Sequence, residues 1–212
     1  MSNSKFIQTK ESVTNSKAYK STSLKKEIVE SVAEETPIAL IYNGISHVVM
    51  MGTPSNLEDF ALGFSITEGI VNKISDIYSI EIENKDNGIE LNIEIASENF
   101  ANLKEIRRNL TGRTGCGLCG AESLSQAMRI PKIKNSNHQF DSKNILKALE
   151  IFSKNQILQK KTGATHASAL CQNNGIIKIT REDVGRHIAL DKLIGASIKH
   201  EVTEDSFIIT SS

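Results

Sequence analysis

Apolar and polar positions divide the chain into a polar tail and a patterned remainder. Residues 1–22 are rich in Ser, Lys, Thr and Asn and predict a disordered N-terminal tail. From Glu27 to Met51 the pattern is strand-like. Pro37-Ile38-Ala39-Leu40-Ile41-Tyr42 runs into Asn43-Gly44, a two-residue hairpin signal, and returns as Ile45 to Met51. Thr53-Pro54 breaks the strand. A helix follows, with Ser55 and Glu58 spaced for a capping box and Leu57, Phe60, Ala61 and Phe64 at helical intervals, ending near Gly69. Alternation then predicts strands Ile77–Glu83 and Ile89–Ile95 around the turn Lys85-Asp86-Asn87-Gly88. Residues 27–96 read as one α+β unit.

Ser97 to Leu110 reads as a helix, Thr111 to Gly120 as a glycine-rich loop, and Ala121 to Met128 as a second helix. Pro131 to Gln139 is a polar connector. Asp141 can cap a helix whose apolar face is Ile145, Ala148, Leu149 and Phe152. A strand-like run to Cys171 follows, then the turn Gln172-Asn173-Asn174-Gly175 and the strand Ile176–Thr180. Arg181 to His187 opens a helix with Leu190, Ile194 and Ile198 on one face, and Ser206–Thr210 is a last strand. The fold class is therefore α/β in the α+β sense, with no internal repeat.

Composition narrows the function classes. Lys plus Arg equals Asp plus Glu at 25 each, so no charge excess points to nucleic acid or an anionic membrane. No apolar run approaches the roughly 18–20 residues of a membrane span, and no apolar block follows the N-terminal lysines as in a secretory signal. Three cysteines, in a chain too large to need disulfide staples, predict a reducing cytoplasm.

The chemistry concentrates first in Thr-Gly-Arg-Thr-Gly-Cys-Gly-Leu-Cys-Gly, residues 111–120. Four glycines give a loop suited to moving, and Arg113 and the following helix N-terminus favour thiolates at Cys116 and Cys119. A structural zinc site needs two further ligands, and neither Cys171 nor His166 has a knuckle-like spacing. A zinc deaminase needs His-x-Glu before Pro-Cys-x-x-Cys, whereas here the order is reversed and Ser168 stands where the glutamate belongs. A thioredoxin-like redox pair follows a strand, not a helix and a glycine-rich loop. Sulfur transfer through a cysteine persulfide suits the loop best, since it needs an exposed, electropositive and mobile thiol. On spacing alone, a flexible loop with two incidental cysteines stays open. Cys171, in a strand-like run, reads as a buried small hydrophobe.

The second concentration is Glu182-Asp183-Val184-Gly185-Arg186-His187-Ile188-Ala189-Leu190-Asp191-Lys192. Acids at a helix start are favoured by the dipole, which accounts for Glu182 and Asp183. Arg186 in the first turn is disfavoured by it, unless free N–H groups and the guanidinium converge on an anion. The Thr162–His166 turn supplies a second wall, and a phosphate-bearing ligand fits the pair. His187 and His166 are candidate pocket residues, with a satisfied core histidine an equal alternative for His166. His47 and His138 attach to no motif.

These pieces, with Thr53-Pro54, Leu57-Glu58-Asp59-Phe60-Ala61-Leu62-Gly63-Phe64, Thr67-Glu68-Gly69, Thr162-Gly163, His166-Ala167, Ala189-Leu190-Asp191-Lys192 and Gly195, resemble the FdhD family over residues 34–212. That family comprises the sulfurtransferases that are accessory proteins of formate dehydrogenase. The resemblance implies a sulfur carrier that takes sulfur from a cysteine desulfurase as a persulfide, with Cys116 as bearer and Cys119 as its partner. It implies the bis-molybdopterin guanine dinucleotide form of the molybdenum cofactor as acceptor and formate dehydrogenase as client. Cofactor contacts are implied at Gly163, His166, Asp183, Gly185, Arg186 and His187, with no resident metal. It also implies a homodimer, and a cytidine-deaminase-like domain over 97–212 after the smaller 27–96 unit. Two departures stand out: Ile188 where the family carries Asn, and Ala164 where it carries a second glycine. The family also continues beyond the position of Ser212, which implies a chain incomplete at its C-terminus. A non-catalytic chaperone that shelters the cofactor is the alternative function.

Overall fold

Pro37–Tyr42 was expected to be a strand, and its alternation places it at the centre of the largest sheet. In a computed structural model of the chain, Ile38, Leu40 and Tyr42 are fully buried along one face of β3 (Thr36–Tyr42). The structure describes residues 11–19, 27–110, 139–200, 202 and 205–211, with side chains of the second helix described up to residue 104. β3 pairs antiparallel with β4 (Ile45–Gly52) through the Asn43-Gly44 turn, both of whose residues have positive φ. β5 (Ile77–Lys85) and β6 (Gly88–Ile95) form the second predicted hairpin. The sheet order is β4-β3-β6-β5, and β3 runs parallel to β6. The Asn43 side chain joins this parallel pair, accepting from the Ile95 N–H at 2.7 Å and donating to the Ile95 carbonyl at 3.0 Å.

Helix α1 (Leu57–Thr67) covers one face of the sheet with Leu57, Phe60, Ala61 and Phe64, as the spacing predicts. Its start differs from expectation. Ser55 and Glu58 form no capping box; the N-cap is Asn56 at φ 52°, without a side-chain cap, and Glu58 instead meets Lys199 Nζ at 3.0 Å. Helix α2 (Ser97–Leu110) follows β6, with Leu103 buried in the same core. The expected disorder over residues 1–22 fails at Val13–Tyr19, which forms β1 and pairs antiparallel with β2 (Glu27–Ala33). Most side chains of this ribbon are exposed, so no apolar periodicity announces it.

A second core lies under α3 (Ser142–Asn155), whose start is capped by Asp141 accepting from the Lys143 N–H at 2.9 Å. Of the predicted apolar face, Ala148 and Phe152 are buried, while Leu149 is 47% exposed. They pack on Ala167, Ala169 and Cys171 of β7 (His166–Gln172). β7 is central in the order β8-β7-β9, with β8 at Ile177–Asp183 and β9 at Ser206–Thr210. A six-residue helix, α4 (Ile157–Thr162), precedes β7 and is too short to show a period in sequence. Arg181 to Asp183 belong to β8 rather than to the start of a helix. The helix α5 begins at Arg186 and ends at Lys199. Its buried side is Ile188, Ala189, Lys192, Leu193 and Ala196, whereas the predicted face of Leu190, Ile194 and Ile198 is half-buried.

α1 and α5 cross at Gly63 and Gly195. A Cβ on Gly63 would collide with the Asp191 carbonyl, and one on Gly195 with the Asp59 carbonyl. At this crossing Thr67 Oγ1 donates to Asp191 Oδ1 at 2.8 Å. Burial pushes the Asp191 carboxyl up from 3.8 to about 6, against the Thr67 hydrogen bond and with help from the Glu68 charge. The folded chain then holds this proton more tightly than the unfolded chain. The resulting stability is fully present below about pH 3.8 and lost as pH rises through about 6. Asp191→Asn, which still accepts from Thr67, is expected to remove that pH step and to gain about 1–2 kcal/mol at pH 7.5. Urea unfolding of both proteins between pH 4 and 7.5 checks it; parallel curves would refute it.

Candidate functional site

Three consecutive side chains at the end of β8 each tie down a different element. Arg181 Nε donates to Asp59 Oδ2 of α1 at 2.8 Å. Glu182 accepts from the N–H groups of Leu158 at 2.9 Å and Gln159 at 2.8 Å, and so caps α4. Asp183 lies under α5. The dipole argument from sequence placed Glu182 and Asp183 at the start of α5, yet neither caps it: Glu182 serves the other helix and Asp183 points inward.

Asp183 and Lys192 are both fully buried, with Lys192 Nζ 2.6 Å from Asp183 Oδ2. The same oxygen accepts from the Thr53 N–H at 3.0 Å and the Thr53 hydroxyl at 2.8 Å. The ammonium also donates to the Thr53 carbonyl at 3.0 Å and to Thr53 Oγ1 at 2.9 Å. Burial pulls the Lys192 pKa down, against the pull of Asp183 in the opposite direction. The second Asp183 oxygen accepts from the Gly185 N–H at 2.8 Å and fixes the turn that starts α5. A ligand that reached Asp183 would have to displace these partners, so the side chain positions the corner from beneath.

His166 and the start of α5 lie at the same end of the β7–β8 pair as this clasp. His166 is the first residue of β7 and pairs in register with Asp183, so the two share a face. His166 is half-buried, whereas Arg186 and His187 are exposed in the first turn of α5. Gly163 ends α4 at φ 67° and is exposed. Among the described residues no side chain caps the 14-residue helix α5, and its first turn carries the exposed Arg186 guanidinium and His187 imidazole, an arrangement able to receive an anion.

Cys116 and Cys119 lie outside the described residues, as do Arg113, the helix expected over Ala121–Met128 and His138. Cys171 is fully buried, and burial pushes its thiol up to about 11, in line with an inert packing role. Among the described residues no three His, Cys, Asp or Glu side chains are grouped to hold a metal ion. Ile188 faces the main core, so the departure from Asn puts a methyl group against Gly52 and Gly185 and not into the corner. Sequence reasoning missed Thr53, Lys192 and Gln159. A signal existed for Lys192, because Ile188, Lys192 and Ala196 recur every fourth residue along one stripe of α5.

Described in this way, the chain is a mixed α/β protein with a buried ion pair beneath an exposed basic helix start. The FdhD/NarQ family model matches residues 33–212, and the chain belongs to that family. It is 53% identical over 184 residues to the sulfur carrier protein FdhD of Cupriavidus necator, covering 86% of this chain and 64% of that relative. Against the sulfur carrier protein FdhD of Bordetella parapertussis it is 48% identical over 167 residues, covering 79% of this chain and 60% of the relative. The chain therefore spans less than two thirds of the length of these relatives. A crystal structure from Desulfotalea psychrophila, of a protein assigned as a formate dehydrogenase accessory protein, has the same fold. Its TM-score is 0.64 at 22% identity, over 94% of this chain and 73% of that one.

Proposed function

We propose that the chain is a sulfur carrier for formate dehydrogenase maturation. The observation that carries this is its membership of the FdhD/NarQ family, with 53% identity to a relative named sulfur carrier protein FdhD. The Cys116-Gly117-Leu118-Cys119 pair supplies the matching chemistry. In the proposed cycle the Cys116 thiolate attacks the terminal sulfur of a desulfurase persulfide. The donor's S–S bond breaks, the donor cysteine leaves as thiolate, and Cys116 becomes the persulfide. Cys119 then either relays that sulfur or attacks Cys116 Sγ, releasing hydrosulfide and leaving a Cys116–Cys119 disulfide. In the latter case the dithiol supplies the two electrons.

The acceptor in this proposal is the bis-molybdopterin guanine dinucleotide form of the molybdenum cofactor, received as substrate and not as a resident group. Arg186, His187 and the α5 N–H groups suit its guanine nucleotide phosphates, with Gly163 and His166 on the facing wall. Action as a cytoplasmic homodimer, with a cytidine-deaminase-like 97–212 region, belongs to the same proposal. No helix among the described residues is long and apolar enough to cross a membrane.

The test is intact-protein mass after incubation with a cysteine desulfurase and cysteine, for wild type and Cys116→Ser. Reductant-sensitive sulfur adducts on wild type are expected to disappear in the variant. Adducts that persist would move the persulfide to Cys119. A folded, reduced chain with no adduct would overturn the carrier reading and favour a protein that only shelters the cofactor.

A further inference from the structure

We infer that Gln159 is a positioning residue for the phosphate wall of the ligand corner, an inference that rests on the proposed nucleotide-binding role of Arg186. Three of its groups each hold a different part of the corner. Its N–H donates to Glu182 Oε1 at 2.8 Å, which anchors it to the strand carrying Asp183. Its carbonyl accepts from the Gly163 N–H at 2.7 Å, and this bond closes α4 at the positive-φ glycine. Its side-chain Oε1 accepts from the Thr165 N–H at 2.7 Å, with the Thr165 hydroxyl at 3.4 Å. Thr165 is buried and directly precedes His166.

Within the Thr162–His166 turn the Gln159 side chain holds the Thr165 N–H, while the Thr162 hydroxyl donates to the Leu158 carbonyl at 2.9 Å and accepts from the Ala164 N–H at 3.4 Å. Without that acceptor the buried Thr165 N–H loses its partner and the turn must seek another arrangement. The turn carries Gly163 and leads into His166, at the sheet end where His166 pairs with Asp183, and both would then lose their fixed placement. A residue that acts only on the wall should affect phosphate recognition and leave the base contacts alone.

Equilibrium binding of GDP and of guanosine to the 212-residue chain tests this, with wild type beside Gln159→Met and Arg186→Ala. Met keeps the length and helix propensity of Gln and removes the acceptor. Gln159→Met is expected to weaken GDP about tenfold while guanosine affinity holds and the thermal midpoint falls by no more than a few degrees. Equal weakening of GDP and guanosine would mean general loosening and would overturn the inference. GDP binding at wild-type strength in Gln159→Met, alongside its loss in Arg186→Ala, would overturn it and leave the nucleotide reading in place. No GDP binding by wild type at millimolar concentration would overturn both.

Discussion

Lys192→Met is expected to lower stability by about 3–5 kcal/mol at neutral pH, enough to unfold a marginal domain. The reason is the carboxylate it leaves behind. Asp183 is fully buried, and its contact with Lys192 Nζ at 2.6 Å is its only ion pair among the described residues. Thr53 and Gly185 would still donate to it, but a charge enclosed without a counter-charge carries most of its desolvation cost. The double variant Asp183→Asn, Lys192→Met removes both charges and is expected to recover part of the loss. Urea midpoints of the two single variants and the double variant close the cycle. If the single losses simply add, the two groups do not interact and the clasp is not what holds the corner.

Gly63→Ala is the second change with a large expected effect, about 3 kcal/mol or more. No rotamer can relieve it, because the added atom meets the backbone carbonyl of Asp191 and not the end of a flexible chain. Separating α1 from α5 by the needed distance would also loosen Phe60, Phe64 and Ile188 in the main core. Gly195→Ala should behave alike through the Asp59 carbonyl. An alanine is otherwise favoured over glycine within a helix by about 1 kcal/mol, so a stabilised variant would show that the helices stand further apart than described.

The hairpins were legible because their turns are chemically explicit. Asn43-Gly44 provides the two positive-φ positions, and Ile89 to Ile95 alternate as a half-buried strand must. The parallel pairing of β3 with β6 was not, since register between strands some fifty residues apart leaves no local trace. The β1–β2 ribbon escaped for a related reason: with most of its side chains exposed, there is no inward stripe to detect. At the site, Arg186 stood out as a cation in a helix's first turn, and the register of β7 with β8 puts His166 opposite Asp183, three residues before Arg186. The partners of Glu182 and Asp183 were misread. A helix dipole offers every nearby acid a plausible use, while the actual partners, Leu158, Gln159, Thr53 and Lys192, lie on other elements or deeper in the same helix.

β8 has a mechanical consequence as well. Side chains on a strand alternate between faces, so Arg181 and Asp183 pull toward α1, Thr53 and α5 while Glu182 pulls toward α4. The strand acts as a tie-beam loaded from both sides of its sheet. A push on the Thr162–His166 turn passes through Glu182 to a beam already pinned at Asp59 and Thr53, and the corner moves only as far as α1 moves with it.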